Sequence, residues 1–271
     1  MPELPEVETT RRGIAGVVTG QTITTVTIRD RRLRWPIPAG FETAVAGRRI
    51  LAVERRAKYL LLRTDGGTLL IHLGMSGSLR AVDDGPPARL HDHVELGLGN
   101  GLRLRFNDPR RFGSFHYVTG DVSRHPLLAT LGPEPLAEDF TAELLFRRSR
   151  RRRVAVKQFI MDAHVVVGVG NIYASEALFR AGIRPGRAAG RLTLADCGRL
   201  VGAIRAVLSA AIDSGGTTLR DYVNADGLPG YFRQRLFVYE RRDEPCRRCS
   251  TAIRSRVQGG RATYWCPRCQ S

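Results

Sequence analysis

The first residues of the chain combine a proline with two carboxylates, a set that suits nucleophilic chemistry. The chain opens Met1-Pro2-Glu3-Leu4-Pro5-Glu6. If Met1 is removed, the nitrogen of Pro2 becomes a free secondary amine. An α-amino group has a pKa near ~7.8 against ~10.4 for lysine, so about a quarter of it is neutral and nucleophilic near neutral pH. Its attack on carbon gives an iminium with no N–H to lose, which favours elimination. The simpler alternative is a disordered acidic tail, and these six residues alone favour it.

A second reactive set is formed by four cysteines near the C-terminal end. The pairs Cys246/Cys249 and Cys266/Cys269 are both CxxC and are separated by 16 residues. Two such pairs can supply four thiolates in tetrahedral geometry around zinc, and they leave no position for a catalytic water. Disulfides or redox thiols are the alternatives, but disulfides are rare in cytoplasmic chains. The spacing predicts a structural zinc ion that folds an arginine-rich β-hairpin finger.

The charge of the chain indicates a polyanionic partner. The 271 residues carry a net charge of +17, from 43 basic and 26 acidic side chains. Nucleic acid is the usual partner of so basic a protein, and a membrane surface is the weaker alternative because no basic amphipathic helix is obvious. No apolar run of about 18 residues and no leader pattern occurs, so we expect a cytoplasmic protein.

Only two of the basic residues are lysines, Lys58 and Lys157. Arginine and lysine are interchangeable on a solvated face but not where a compact point charge is needed. If the chain uses arginine wherever either serves, these two positions require lysine. Chance survival of the two lysines is the alternative.

The elements that must position these groups change in type along the chain. Residues 1–130 are mostly β: alternating apolar residues surround the turns 64–67 and 100–101, which predicts two hairpins within a sandwich. Thr9 to Val18 is predicted as a helix. Gly132 to Pro135 marks a linker, after which the pattern becomes helical.

Two segments of the helical part carry start signals. Thr193 to Asp196 resembles a capping box, and Cys197 lies on the apolar stripe that follows, so we expect it to be buried. Gly168 to Gly170 predicts a tight turn, with Asn171 capping a helix from Ile172. The helix N-terminus would present N–H groups to an anion such as phosphate. An ordinary capped helix would show the same pattern.

The motifs together resemble the bacterial formamidopyrimidine-DNA glycosylases, essentially from end to end. The matching segments are Met1–Glu6, Ala57–Leu60, His72–Gly77, Asp108–Gly113, Val167–Tyr173, Gly215–Thr218 and the four cysteines. The resemblance implies an enzyme of base excision repair that removes oxidised purines from DNA and then cleaves the abasic strand.

The resemblance also implies an α+β architecture: an N-terminal β-sandwich with flanking helices, a helix–two-turn–helix domain and a β-hairpin zinc finger. We expect a catalytic domain over residues 1–131, a linker over 132–150, a helical domain over 151–235 and the finger over 236–271. Within the helical domain, residues 215–231 match a lesion-capping loop. The resemblance further implies a monomer with one structural Zn²⁺ per chain. Its expected partner is double-stranded DNA with oxidised purines or abasic sites, and no membrane partner is expected. The expected location is the bacterial cytoplasm, in association with the nucleoid.

Carried onto matching positions, the family's chemistry assigns four catalytic residues. Pro2 attacks C1′ of the damaged nucleotide, displaces the base and forms an iminium, and β and δ eliminations then leave a one-nucleotide gap. Glu3 acts as general acid/base, and Glu6, one helical turn further along, orients the site. Lys58 resembles the lysine that contacts phosphate beside the lesion; a solvated strand residue is the alternative for this position.

The resemblance also assigns DNA contacts. Asn171 and Arg261 match residues that grip the phosphates flanking the damaged site, and His91 and Lys157 are assigned to DNA binding without a more specific role. Three further residues match the set that fills the hole left by the flipped nucleotide: Met75, Arg110 and Phe112. Without the resemblance, the methionine and the phenylalanine would be interpreted as ordinary packing residues.

Two rival functions remain. The endonuclease VIII branch shares the proline nucleophile and the finger but prefers oxidised pyrimidines; Leu4, the hole-filling trio and the long loop over 215–231 favour the purine branch. A non-catalytic, zinc-dependent DNA-binding protein explains the charge, the finger and Asn171. It gives no reason for Pro2 followed by Glu3.

Overall fold

The computed structural model describes residues 2–83, 87–216 and 232–271. The chain divides into two compact units, Met1–Ala129 with Ser214–Tyr231 and Thr130–Asp213 with Phe232–Ser271. Among the described residues, no helix is both long enough and apolar enough to cross a membrane.

The first unit begins with helix α1, Leu4–Val18, five residues earlier than predicted. Pro5 conceals this start in the sequence, yet proline is tolerated in a first turn because the N–H groups there have no acceptor within the helix. Glu3 is the N-cap, and its N–H donates to Glu6 Oε2 at 2.8 Å. The start of the helix therefore places Pro2 and Glu3 directly at its positive end.

Eight strands of the first unit form two four-stranded antiparallel sheets, ordered β1-β6-β7-β5 and β2-β3-β4-β8. Both predicted hairpins are confirmed, as β3–β4 and β6–β7. The elements are β1 Ile23–Ile28, α2 Phe41–Val45, β2 Ile50–Arg56, β3 Tyr59–Thr64, β4 Gly67–His72, β5 Ser78–Val82, β6 Asp92–Leu98, β7 Arg103–Asn107, β8 Ser114–Val118 and a 3₁₀ turn Val122–Arg124.

The two sheets share one apolar core, as expected for a sandwich. Leu62 and Ile71 from one sheet and Leu96 and Phe106 from the other lie in the same buried cluster. The rings of Phe106 and Phe115 meet across the sheets with centroids 5.1 Å apart. Each such side chain contributes about 1.5–3 kcal/mol on burial, so the sandwich is a rigid base for the turns between its strands.

The second unit contains four α-helices and a hairpin. They are α3 Ala142–Ser149, α4 Val156–Met161, α5 Asn171–Ala181, a 3₁₀ turn Ala189–Arg191, α6 Leu194–Asp213, a 3₁₀ turn Phe232–Arg235, β9 Arg254–Gln258 and β10 Arg261–Trp265. Helix α3 lies inside the segment expected to be a linker. The antiparallel β9–β10 pair confirms the predicted finger hairpin.

The start of α6 follows the predicted capping box. Thr193 Oγ1 accepts from the N–H of Asp196 at 3.0 Å, and Asp196 Oδ2 accepts from the N–H of Thr193 at 2.9 Å. Cys197 is fully buried, and burial raises its pKa to about 11. The prediction of a buried cysteine is confirmed.

Candidate functional site

The N-terminal end of α1 brings the predicted nucleophile and both carboxylates together. Pro2, Glu3 and Glu6 are all buried. One oxygen of Glu6 holds the backbone of Glu3, an orienting contact of the kind predicted for this carboxylate. Gly216 closes against it: its φ is +84°, and a Cβ there would lie 3.1 Å from Glu6 Oε1. The rest of the predicted capping loop, residues 217–231, lies outside the described residues.

Lys58 occupies the turn between β2 and β3 rather than a strand. Ala57 beside it has a φ of 55°, which permits the tight turn. The turn is connected to α1, because Arg55 donates to the carbonyl of Ala57 at 2.9 Å and to Glu8 Oε2 at 3.2 Å. Burial alone would raise the pKa of Glu8, but pairing with Arg11 and other arginines lowers it overall. Arg55 therefore fixes the position of the turn that carries Lys58 relative to helix α1, whose N-cap is Glu3.

His72, at the end of β4, belongs to the same electropositive region. Its burial, together with the charges of Lys58 and Arg34, lowers its pKa to about 4. Its Nδ1 accepts from the N–H of Gly74 at 2.9 Å, so its proton lies on Nε2. The ring packs 4.9 Å from that of Tyr59. The histidine is neutral at pH 7, so the positive charge of this region comes from Lys58 and Arg34.

The three residues predicted to fill the hole of a flipped nucleotide lie on two loops of the sandwich. Met75 follows β4, and Arg110 and Phe112 follow β7. Met75 is 36% exposed and Phe112 is 44% exposed, unusual values for large apolar side chains beside a full core. The guanidinium of Arg110 lies 4.9 Å from the ring centre of Phe112. These side chains are presented outward, and ordinary core packing does not account for them.

A buried carboxylate that sequence reasoning missed joins these two loops. Asp108 is fully buried; its Oδ1 accepts from Ser76 Oγ at 2.8 Å and its Oδ2 from the N–H of Gly113 at 2.7 Å. The backbones also touch, because a Cβ on Gly74 would overlap the nitrogen of Gly113. Asp108 thus holds the loop of Met75 against the loop of Phe112. Its position in the matched motif 108–113 was the available signal.

His91 is hydrogen-bonded through its backbone to Asp108, the residue that joins the two loops. It has a φ of 72°, and its carbonyl accepts from the N–H of Asp108 at 3.0 Å. Its ring meets that of His93 edge to face, with centroids 6.0 Å apart. The structure therefore places this predicted DNA-binding residue next to the loops that carry Met75, Arg110 and Phe112.

In the second unit, the structure corrects the role of Asn171. The N-cap of α5 is Gly170, and Asn171 is the first helical residue, so its side chain does not cap the helix. Its Nδ2 donates to the hydroxyl of Tyr239 at 3.4 Å. Its Oδ1 is buried and has no hydrogen-bond partner among the described residues. Because Gly170 is the N-cap, the side-chain amide of Asn171 is available for another partner.

Glu176, five residues along α5, holds the segment that carries Tyr239, and sequence reasoning missed it. Its carboxylate accepts from the N–H groups of Phe237, Val238 and Tyr239 at 2.8–2.9 Å. Burial raises its pKa, although these three hydrogen bonds act in the opposite direction. Because it fixes residues 237–239, Glu176 positions the tyrosine that meets Asn171.

Lys157, which the resemblance assigned to DNA binding without a more specific role, is buried. It is 1% exposed, and its Nζ donates to the carbonyl of Ala262 at 2.8 Å and to Thr263 Oγ1 at 2.9 Å. Lys157 of α4 therefore holds strand β10 in place through these two hydrogen bonds. Arg261, the first residue of that strand, is exposed. The requirement for lysine at 157 is met by a compact buried ammonium.

The four finger cysteines suit one zinc ion. Their sulfur atoms all lie within 4.8 Å of one another, and the pairs nearest each other are 3.4–3.9 Å apart. Zn–S bonds of about 2.3 Å in a tetrahedron require sulfur pairs about 3.8 Å apart. The N–H groups of Arg248 and Cys269 also point at Sγ atoms of Cys246 and Cys266, at 3.4 Å each. Such N–H groups stabilise thiolates, so the four cysteine sulfur atoms are suited to bind a zinc ion.

Comparison with known families covers most of the chain. Residues 1–115 match the formamidopyrimidine-DNA glycosylase N-terminal domain. Residues 131–223 match the formamidopyrimidine-DNA glycosylase H2TH domain. Residues 243–271 match the zinc finger found in FPG and IleRS.

Individual relatives agree over the full length. Formamidopyrimidine-DNA glycosylases of Thioalkalivibrio sulfidiphilus and Marinobacter nauticus are 60% and 59% identical over 270 residues, covering all of both chains. The crystal structure of MutM (Fpg) from Thermus thermophilus is 44% identical with a TM-score of 0.88, covering 99% of this chain and 98% of that one. A Lactococcus lactis Fpg mutant bound to Fapy-dG DNA is 32% identical with a TM-score of 0.93 over both full chains.

Proposed function

Because the chain belongs to the formamidopyrimidine-DNA glycosylase family, whose members are base-excision glycosylases and abasic-site lyases, we propose that Pro2 is its nucleophile. After removal of Met1, the nitrogen of Pro2 attacks C1′ of the damaged nucleotide. A bond forms between that nitrogen and C1′, and the base leaves with the electron pair of the glycosidic bond. The supporting observation is the burial of Pro2, Glu3 and Glu6 together at the positive end of α1.

The two carboxylates divide the remaining work at the sugar. Glu3 protonates the ring oxygen as the sugar opens, and the iminium then acidifies the C2′ proton. Loss of that proton expels the 3′ phosphate, and a second elimination expels the 5′ phosphate. Glu6 keeps Glu3 in position through the N–H it accepts. A carboxylate at a helix N-terminus is stabilised in its charged form by about 0.3–1 kcal/mol.

Residues in both units contact the strand. Lys58 binds a phosphate beside the lesion, and His91 binds nearby backbone. Asn171 and Arg261 grip the flanking phosphates. Asn171 does so by donating from its Nδ2, whose hydrogen bond to the Tyr239 hydroxyl is long at 3.4 Å. Lys157 acts indirectly, through the strand that begins at Arg261. The partner is duplex DNA that contains oxidised purines or abasic sites, and solved relatives are bound to Fapy-dG and abasic-site DNA.

Met75, Arg110 and Phe112 enter the space left by the extruded nucleotide. The apolar side chains replace lost stacking, and the arginine hydrogen-bonds the orphaned base. Their outward exposure and the Asp108 brace support this role. The loop over 215–231 then covers the extruded base.

The domains and the setting of the reaction follow from these roles. The sandwich, residues 1–131, is catalytic; residues 151–235 form the helix–two-turn–helix domain with the capping loop, and the segment 132–150 that precedes them contains α3. Residues 236–271 form the finger, in which the four cysteines hold one structural zinc ion. The metal supplies folding energy to the finger and takes no part in the eliminations. We expect the enzyme to work on the nucleoid in the bacterial cytoplasm.

Borohydride trapping tests the proposal. Wild-type enzyme on a duplex with one 8-oxoguanine should give a reduced protein–DNA adduct, because borohydride reduces the iminium. The adduct should persist in Lys58→Gln and disappear in Pro2→Gly. No adduct in the wild type would favour a DNA-binding protein without catalysis.

Substrate preference needs its own assay, since a solved Lactococcus lactis Fpg is bound to DNA with an oxidised pyrimidine. Cutting of 8-oxoguanine and thymine glycol duplexes should be compared side by side. Faster cutting of 8-oxoguanine is expected, and the reverse preference would favour the endonuclease VIII branch.

A further inference from the structure

The second unit carries a basic cavity that none of the residues assigned above lines. It is open, about 630 Å³ in volume, and is formed by two segments of chain. Its lining residues are Arg151, Arg152, Arg153, Ala188, Gly190 and Arg191. Four of these six residues are arginine, and no carboxylate is among them.

The backbone beneath the cavity is rigidly paired. The N–H of Ala189 donates to the carbonyl of Val154 at 2.9 Å, and that of Gly190 donates to the carbonyl of Arg152 at 2.8 Å. Gly190 is packed so closely that a Cβ would lie 2.8 Å from the carbonyl oxygen of Arg152. Arg151 is held at a φ of 61°, a left-handed conformation that is uncommon outside glycine. The arginines are therefore presented from fixed positions and not from a flexible loop.

Neighbouring arginines show what these four lack. Arg148 donates to the carbonyl of His164 at 2.8 Å, and Arg150 donates to that of Leu192 at 2.5 Å. Arg187 pairs with Asp196 at 2.9 Å.

By contrast, the four guanidinium groups of the cavity make no hydrogen bond or ion pair within residues 2–83, 87–216 and 232–271. Clustered like charges without counter-ions raise the local positive potential, which attracts anions. A guanidinium fork matches two oxygens of a phosphate. All four arginines are exposed, so their guanidinium groups are open to an anion with several oxygens.

The chemistry of the lining distinguishes between macromolecular partners. Protein interfaces have an apolar centre with a polar rim, whereas nucleic-acid interfaces are polar and strongly positive. Among the described residues that line the cavity, only Ala188 and Gly190 are without charge, so it has no apolar centre. The geometry points to a site for phosphodiester groups of duplex DNA beyond the nucleotides that flank the lesion. We propose that this accessory site adds affinity for any sequence and takes no part in excision.

Salt dependence of binding to undamaged DNA tests the accessory site. The triple variant R151Q/R152Q/R153Q should be compared with wild type on a duplex of about three helical turns, by fluorescence anisotropy between about 50 and 200 mM salt. Losing three phosphate contacts should lower the slope of log K against log salt by about 2.7. R151K/R152K/R153K, which keeps the charges, should retain most of the slope.

Two controls separate this effect from total charge and from folding. R12Q/R49Q/R124Q removes three exposed arginines of the first unit and should leave the slope nearly unchanged. Single-turnover excision and borohydride trapping on a lesion duplex of about one turn should match wild type in the R151Q/R152Q/R153Q variant. Because the short duplex reports the lesion site alone, a failure of the Pro2 chemistry would appear there in the wild type as well.

Three results would overturn the accessory site. The first is an unchanged slope in R151Q/R152Q/R153Q, and the second is an equal fall in the first-unit control. The third is tight binding of inorganic phosphate alone with no change in DNA affinity, which would assign the cavity to a small anion.

Discussion

The sandwich and the finger reach stable structures by different means. Within the described residues, the sandwich core buries 22 apolar side chains, whereas the finger cluster buries five, two of which are zinc-ligand cysteines. A core of that size cannot offset the conformational entropy of an ordered segment. The finger therefore depends on a metal, whereas the sandwich is stabilised chiefly by its apolar core. Buried polar contacts in the sandwich, such as those of Asp108, position loops.

Removal of zinc should give the largest difference between the two regions. Structural zinc contributes about 10–16 kcal/mol of apparent folding free energy to small fingers. Chelation, or Cys266→Ser, should therefore unfold residues 243–271 and leave the sandwich folded. Hydrogen exchange measured by mass spectrometry would resolve the two. Loss of protection in β3 and β4 together with the finger would contradict the separation.

The two regions should also respond to pH in opposite directions. The pKa of His72 is lowered to about 4 from an ordinary 6.5, so the folded sandwich favours the neutral ring. Its contribution is complete above pH 6.5 and is lost as pH falls toward 4, up to about 3 kcal/mol. His72→Gln should flatten the acid side of the stability curve. An unchanged curve would mean that the ring is not held neutral.

Glu176 of the second unit provides the contrast. Its pKa is raised, chiefly by burial, so the folded state favours the protonated acid. Its contribution is complete below the ordinary pKa and is lost as pH rises through the raised value. Hydrogen exchange of residues 237–239 should therefore become faster as pH rises, after correction for the intrinsic rate. Glu176→Gln should remove that dependence, and its persistence in the variant would contradict the assignment.

Lys157→Met should weaken the support of the finger hairpin by about 2 kcal/mol, since it removes the donor to the partly buried carbonyl of Ala262 and to the buried Thr263 Oγ1. Arg261→Gln is the matched control because Arg261 is exposed on the strand that Lys157 supports. The control should lower the salt slope of DNA binding by about one without changing thermal stability. Equal thermal stability of Lys157→Met and wild type would contradict the supporting role.

Asp108→Asn should cost about 1–2 kcal/mol of stability, because one of its two acceptor oxygens becomes an NH2 group. The Ser76 hydroxyl can turn to accept from that group, which limits the loss. Its effect on function should be selective. Removal of 8-oxoguanine requires the loops of Met75 and Phe112 to be held together, because both side chains fill the space left by the extruded nucleotide. Cleavage at a preformed abasic site depends on them less. Single-turnover rates on the two substrates should therefore diverge, with the larger loss on 8-oxoguanine. Parallel losses would assign Asp108 to folding alone.

Local patterns were enough to predict much of the fold. The turns at 64–67 and 100–101, the capping box at 193–196 and the cysteine spacing all contain their signal within a few residues. The same rules failed where a local signal was ambiguous. Pro5 resembles a helix breaker but lies in the first turn of α1, and Gly170 displaced Asn171 from the cap of α5.

The missed contacts join residues that are far apart in the chain. Asp108 meets Ser76 across 32 residues, Glu176 meets Val238 across 62, and Lys157 meets Thr263 across 106. No periodicity or spacing encodes such pairs. The resemblance assigned Lys157 to DNA binding without a more specific role, and only the folded chain shows that its ammonium is buried against β10.

The central claim is that the amine of Pro2 forms the covalent bond to deoxyribose. The most direct measurement compares single-turnover excision of 8-oxoguanine by the processed enzyme and by a form whose N-terminus is acetylated or extended by one residue. The account predicts that the blocked form binds the lesion duplex but neither excises the base nor gives a borohydride adduct. Excision by the blocked form at the wild-type rate would contradict it.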